Sequence, residues 1–167
     1  MTETPQVSPQ ALLDAARVFE ERIPFNQVLG LRMERLGESD VVVRFDMRDE
    51  LIGNFTRGNL HGGVISSVLD VVGGLVAFIA LLRREGVQSL EDEADKFSRL
   101  GTIDLRVDYL RPGLGKTFSA KGLCFAPVGK LLLRAWNCTT MKSHLSLSGP
   151  VLTAYRERLN KNLHLKR

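Results

Sequence analysis

His61-Gly62-Gly63-Val64-Ile65-Ser66-Ser67-Val68-Leu69-Asp70-Val71-Val72-Gly73-Gly74-Leu75-Val76-Ala77-Phe78-Ile79-Ala80-Leu81-Leu82 is the stretch whose reading decides the fold. From Val64 to Leu82 it is apolar over about the length that spans a bilayer. It also holds Ser66, Ser67, Asp70, Gly73 and Gly74. An aspartate near the middle of a spanning helix costs at least about 2.5 kcal/mol on insertion scales, and the chain offers no second span to pair with it. The stretch therefore reads as a core helix, expected over residues 63–84, with Arg83, Arg84 and Gly86 supplying the cations and the glycine that suit its C-terminus. A helix apolar almost all round must be covered on most of its sides.

Working outward, the cover is visible on both flanks. Before the core helix, Ser8-Pro9 gives a cap and a first-turn proline, and Leu12, Ala16 and Phe19 recur at helical spacing until Ile23-Pro24, so residues 1–23 carry an N-terminal helix. Extended stretches follow at Leu31 to Leu36 and Val41 to Met47, and then a polar loop from Arg48 to Leu60. After it, Ser89 and Asp92 open a short helix over residues 89–100. From Thr102 to Tyr109 polar and apolar residues alternate strictly, the period of a half-buried strand. Three more strands are expected at Thr117 to Phe125, Leu131 to Asn137 and Leu145 to Tyr155, the last with a bulge or edge position at Gly149-Pro150. This order is an α+β plan with an antiparallel sheet. A 20-residue helix measures about 30 Å, comparable to a strand of eight or nine residues, so one sheet could wrap around it.

Composition agrees with a single domain over residues 1–155. The 167 residues are 44% apolar and 25% charged, close to ordinary globular proteins and far from disordered or fibrous chains. The net charge of +4 comes from the last twelve residues, where five basic side chains stand against one acidic one. The rest is balanced, so the footprint of a nucleic-acid-binding domain is missing. Residues 156–167 read as a solvated basic tail. Two cysteines and no apolar leader point to a reducing, cytoplasmic setting.

Among the residues able to carry chemistry, Asp70 comes first. Flanked by Val68, Leu69, Val71 and Val72, an ionised carboxylate is expensive unless something pairs with it or uses it. Gly63, Ser66, Ser67, Asp70, Gly73, Gly74 and Ala77 fall on one side of the helix, a small and polar stripe that could admit a ligand or another backbone. The bland alternative is an Asp70 satisfied at a helix–helix contact. His61-Gly62-Gly63 would sit at the helix N-terminus, where unpaired N–H groups could hold a carbonyl oxygen that gains negative charge. Its bland alternative is a glycine-rich turn.

Three segments together resemble one family. Asn54-Phe55-Thr56-Arg57-Gly58-Asn59-Leu60-His61-Gly62-Gly63, then Asp70 nine positions after His61, then Gly101-Thr102-Ile103-Asp104-Leu105-Arg106-Val107-Asp108-Tyr109-Leu110-Arg111-Pro112-Gly113 resemble the PaaI-like hotdog-fold acyl-CoA thioesterases. The Ile23-Pro24-Phe25-Asn26 and Leu29-Gly30 start resembles the YigI-like branch. The likeness spans roughly Pro24 to Tyr155. It implies a hotdog fold, an antiparallel sheet wrapped around one long central helix, and homodimers or dimers of dimers with active sites shared between subunits. It further implies that Asp70 is nucleophile or general base, that the Gly62 N–H polarises the thioester carbonyl with help from Asn54, and that Thr102 orients the attacking group or water. His61, Gly63, Ser67 and Arg111 would then touch the substrate. Asn54 lies seven residues before His61, where many relatives have six.

Other signals fail. Gly113-Leu114-Gly115-Lys116-Thr117 lacks the first glycine of a phosphate-binding loop, since that position is Leu110. Ser146 and Ser148 lack the glycines of a nucleophile elbow. Three histidines and two cysteines show no metal-ligand spacing, so neither metal nor cofactor is expected. The expected function is hydrolysis of an acyl-CoA, of medium or long chain, to free acid and CoA. The rival from another class is a non-catalytic acyl-CoA binding module on the same fold, which an Asp70→Asn variant separates. Hydration of an acyl thioester would need a catalytic histidine, and His61 beside two glycines is poorly placed for it.

Overall fold

The computed structural model describes residues 6–37, 40–90, 100–123, 132–135, 138–139, 146–147 and 151–155. Helix α1 (Pro9–Arg17) starts as expected, with the Ser8 side chain accepting from the Ala11 N–H at 3.0 Å and Pro9 in the first turn. Its buried face is Ala11 and Ala15, continued by Phe19 just beyond its end, while Leu12 and Ala16 are half-buried beside it. A π-helical turn (Val18–Arg22) leads to α2 (Pro24–Leu29), closed by Gly30 at φ 69°. The extended pair β1 (Arg32–Leu36) and β2 (Asp40–Asp46) follows, then the short hairpin β3 (Ile52–Asn54) and β4 (Asn59–Leu60). Helix α3 (Gly62–Glu85) comes next, and then β5 (Leu100–Leu105), β6 (Thr117–Leu123), β7 (Leu132–Ala135), β8 (Cys138–Thr139), β9 (Ser146–Leu147) and β10 (Val151–Tyr155).

The strands form two antiparallel groups, β1-β2-β6-β8-β9 and β5-β10-β7. α3 lies against β2 and β6 of the first and β5, β7 and β10 of the second, so the sheet wraps the helix as the sequence resemblance implied. Its length and apolarity would let α3 cross a membrane; in this fold that surface is used as core, with Val68, Val72, Val76, Ile79 and Leu82 almost fully buried. Close approach depends on Gly122 in β6, where a Cβ would stand 2.4 Å from Val76 Cγ2 and 2.8 Å from Val72 Cγ1. Phe45 and Phe118, paired across β2 and β6, stack at 5.3 Å beneath the same helix.

Several sequence expectations are corrected. α3 gains one residue at each end of 63–84, because His61 caps it and Gly86, at φ 62°, ends it. The N-terminal helical segment stops at Ile23, which is extended, as expected, but Pro24 then begins a second helix in place of a plain stop. The strand from Thr102 ends at Leu105 instead of running to Tyr109, and it starts two residues earlier at Leu100. The expected helix over 89–100 falls mostly on residues 91–99, outside the described residues, as do Gly149-Pro150 and the basic tail 156–167. Leu100 itself is strand.

Candidate active site

The helix entrance is built from the hairpin upward. The Leu60 N–H donates to the Gly113 carbonyl at 2.9 Å and the His61 N–H to the Leu51 carbonyl at 2.8 Å, which fixes the chain where α3 begins. Gly53 of β3 is pressed against this point, since a Cβ there would lie 2.6 Å from His61 Cα. A helix leaves its first four N–H groups without intrahelical partners. Here the His61 imidazole accepts from the Gly63 N–H through Nδ1 at 2.9 Å, and the His61 carbonyl accepts from Val64 and Ile65 at 3.0 and 3.3 Å. Gly62 alone keeps an N–H with no partner among the described residues. Of the two N–H groups that the glycine pair presents in the sequence the structure leaves one, because the histidine side chain takes the other.

Tyr109 stands over the same glycine. Its hydroxyl donates to the Gly62 carbonyl at 3.2 Å, and its ring edge lies 3.5 Å from where a Gly62 Cβ would be. Tyr109 was read only as the last residue of a strand, and the chain's departure from β5 after Leu105 is what carries it to the helix entrance. Asn54 ends β3 opposite Asn59, and its Oδ1 accepts from the Thr56 N–H at 3.0 Å and the Thr56 hydroxyl at 2.6 Å. That local turn uses the side-chain oxygen and leaves the NH₂, the half of the amide that could donate to a carbonyl. Arg111 is exposed on the segment between β5 and β6.

The second group of residues gathers further along α3. The Thr102 hydroxyl, from β5, donates to Asp70 Oδ1 at 2.5 Å, a length suited to a hydroxyl–carboxylate bond. This contact fixes the orientation of the carboxylate and leaves Oδ2 without a partner among the described residues. Ser67, half-buried, sits one turn before Asp70 on α3, while Ser66 turns back to donate to the Gly63 carbonyl at 3.0 Å. Asp70 and Thr102 open on a cavity of about 200 Å³ whose other walls include Phe19, Ile23, Phe25, Val71, Leu75 and Leu100. Asn26 also belongs to that wall. It is fully buried and donates through Nδ2 to the Phe19 carbonyl at 2.8 Å, while its Oδ1 has no partner among the described residues. A larger hollow of about 570 Å³ lies over β1 and β2, but it includes none of these groups and two of its arginines are set against Asp46 and Glu20.

The two groups of residues are far apart within one chain. Gly62 and Asp70 are separated by eight residues of continuous helix, about 12 Å along the axis. An attacking atom must stand roughly 3–3.5 Å from a carbonyl carbon whose oxygen is held by the N–H. Within one chain, the Gly62 N–H at the helix entrance and the Asp70 carboxylate a little over two turns on are therefore too far apart to meet at one carbonyl group. The edge of β5 beside Thr102 is unpaired, since β5 pairs only with β10 among the described residues. Among the described residues no group of histidine, cysteine, aspartate and glutamate could hold a metal ion.

Comparison with known proteins follows the same lines. No family profile matches the chain. Over 111 residues it is 44% identical to the medium/long-chain acyl-CoA thioesterase YigI of Salmonella typhimurium, covering 66% of this chain and 72% of that protein. A crystal structure from Shewanella oneidensis, of a protein related to the thioesterase superfamily, superposes with a TM-score of 0.77 at 36% identity over 88% of this chain and 96% of that one. The Escherichia coli PaaI protein has the same fold, with a TM-score of 0.65 at 15% identity over 89% of this chain and 95% of its own.

Proposed function

Since this chain belongs to the PaaI-like hotdog-fold acyl-CoA thioesterases, in their YigI-like branch, we propose that it hydrolyses acyl-CoA of medium or long chain to the free acid and CoA. The observation that carries the reading is the Thr102–Asp70 hydrogen bond opening on an apolar cavity, which joins a fixed carboxylate to a place for a hydrocarbon chain. The chain-length class rests on those apolar walls and on the activity of the YigI relatives.

In the reaction, Asp70 Oδ2 accepts a proton from a water whose oxygen adds to the thioester carbon. The electron pair moved onto the carbonyl oxygen is held by the Gly62 N–H, with the Asn54 NH₂ as a second donor. Collapse of that adduct breaks the carbon–sulfur bond, and the CoA sulfur leaves with the proton that Asp70 holds, which returns the carboxylate to its ionised form. The same groups serve if the carboxylate itself adds to the carbonyl and water opens the resulting anhydride. His61 holds Gly63 so that the helix entrance keeps its shape. The separation of Gly62 from Asp70 supports a homodimer in which each site takes Gly62 from one subunit and Asp70 from the other, with the free β5 edge as the surface where a second sheet pairs.

The test is release of thiol from acyl-CoAs of increasing length, with wild type and Asp70→Asn side by side. Activity that is lost in the variant while the ligand still raises the melting temperature supports the enzyme. Ligand-induced stabilisation without turnover in the wild type moves the reading to an acyl-CoA binding module. Gly62→Pro and Asp70→Asn proteins, unfolded and refolded together, test the sharing: mixed dimers hold one intact site in two and should restore about a quarter of wild-type activity.

A further inference from the structure

Two glycines in the cavity wall have no backbone reason to be glycine. Gly74 lies in the middle of α3, where a glycine is less favourable than alanine. Gly101 lies inside β5, where a glycine also weakens the element. Neither has a positive φ. Neither is needed for close packing among the described residues of one chain, because a Cβ built at either position finds nothing of them within 4 Å. Gly122, on the other side of α3, shows the opposite case, with two valine methyl groups inside 3 Å. What Gly74 and Gly101 share is the cavity: both line it together with Asp70 and Thr102.

Building on the thioesterase reading, we propose that Gly74 and Gly101 are specificity-determining residues that keep open a slot for an unbranched aliphatic acyl chain leading away from Asp70. The walls fit that class of ligand. Phe19, Ile23 and Phe25 from the N-terminal helical segment face Val71 and Leu75 of α3, and the bare backbone at the two glycines gives the width that a side chain would remove. Gly74 is one turn beyond Asp70, about 6 Å along the helix, the reach of roughly four or five bonds of an extended carbon chain. A chain attached to a carbonyl beside Asp70 meets Gly74 at about its sixth carbon. A side chain at position 74 therefore acts as a stop: shorter chains end before it, and longer ones run into it.

The experiment measures kcat and KM for straight-chain acyl-CoAs from four to sixteen carbons with wild type, Gly74→Ala, Gly74→Leu and Gly101→Val, together with melting temperature and solution mass of each. Gly74→Leu places four carbon atoms in the slot. The expected result is activity within about threefold of wild type on the four-carbon substrate and a loss of tenfold or more from ten carbons upward, with Gly74→Ala intermediate and no less stable than wild type. Three outcomes overturn the proposal. An unchanged length profile in Gly74→Leu means the chain does not pass position 74, and an equal loss at every length assigns the glycine to the reacting end. Loss of the wild-type mass in Gly74→Leu makes the position a contact between copies. Failure of the thioesterase reading looks different, since wild type would then release no thiol from any length.

Discussion

Replacing Gly62 by proline removes one atom's worth of chemistry from the helix entrance and little else. Proline has no N–H, and the first position of a helix is where that loss is tolerated, because no intrahelical bond is broken. The backbone already suits it. His61 sits at φ −67° and ψ 136°, the extended region that a residue preceding proline favours. Gly62 has no positive φ to lose. A Cβ at this position meets the Tyr109 ring at 3.5 and 3.7 Å, ordinary van der Waals contacts. Stability should therefore stay within about 1 kcal/mol of wild type, aided by the smaller entropy of the unfolded chain. Activity should not survive. With Gly63, Val64 and Ile65 already bonded to His61, the Gly62 N–H is the backbone donor left for the carbonyl oxygen. Loss of one such donor costs about 10²- to 10³-fold in kcat, or about 2.7–4 kcal/mol of transition-state stabilisation. The assay is thiol release from a medium-chain acyl-CoA, with melting temperature measured on the same samples and Gly62→Ala, which keeps the N–H, as control. A folded Gly62→Pro enzyme with kcat within a few-fold of wild type would refute the assignment of that N–H.

Other substitutions probe the surroundings of both halves. Thr102→Val keeps the shape of the side chain and removes the hydroxyl on Asp70 Oδ1; kcat should fall by about 10- to 100-fold with KM and melting temperature little changed, since this group orients the carboxylate. Gly53→Ala drives a Cβ to 2.6 Å from His61 Cα. Because that neighbour is backbone, the helix entrance must shift, and steady-state kinetics should show a loss of kcat larger than the loss of stability accounts for. Gly122→Ala places a methyl 2.4 Å from Val76 Cγ2 beneath the core helix, so denaturant unfolding should show a loss of about 1–3 kcal/mol from overpacking. Ser8→Ala removes the cap of α1 and should cost about 1 kcal/mol in the same measurement, with no effect on kcat.

The parts of the fold that could be read from the sequence were those in which local chemistry and tertiary context agree. α3 announces itself because an apolar run of that length interrupted by Asp70 has few other fates, and the Arg83, Arg84 and Gly86 end matches the cap that forms. α2 was hidden by its own start signal. Pro24 stops one helix and begins another, and the deciding residue is Gly30, six positions later, whose positive φ closes a helix too short to show a period. The Thr102 to Tyr109 alternation was misleading after Leu105, where the polar–apolar pattern continues but the chain leaves the sheet to reach Gly62. Asp70 and Gly62 were legible as separate signals, whereas Thr102 on its own was only the start of an alternating strand. The Asp70–Thr102 contact was reachable only through the family resemblance, since residues 32 apart in sequence and on different elements leave no local trace of meeting.

Asn26 and Gly101 were invisible for a related reason, and Gly74 showed only as one member of the small, polar stripe on α3. The Asn26 side chain supplies an N–H to the Phe19 carbonyl at 2.8 Å, a carbonyl whose partner five residues on would be Pro24, which has no N–H to give. That need exists only once the π-helical turn has formed. What sets Gly74 and Gly101 apart emerges only when a Cβ is built on each and meets no described atom, at two positions that line one cavity with Asp70. The spacing of Gly62 and Asp70 carries a comparable lesson in the opposite direction. Eight helical residues could be counted in the sequence, and with 1.5 Å per residue they place the two halves of the chemistry about 12 Å apart. A rigid helix cannot fold back on itself to close that distance. If both residues act on one thioester, the helix that separates them within a subunit must bring them together between subunits. In the shared-site dimer proposed above, dilution to separate subunits should then abolish thiol release even where each subunit stays folded.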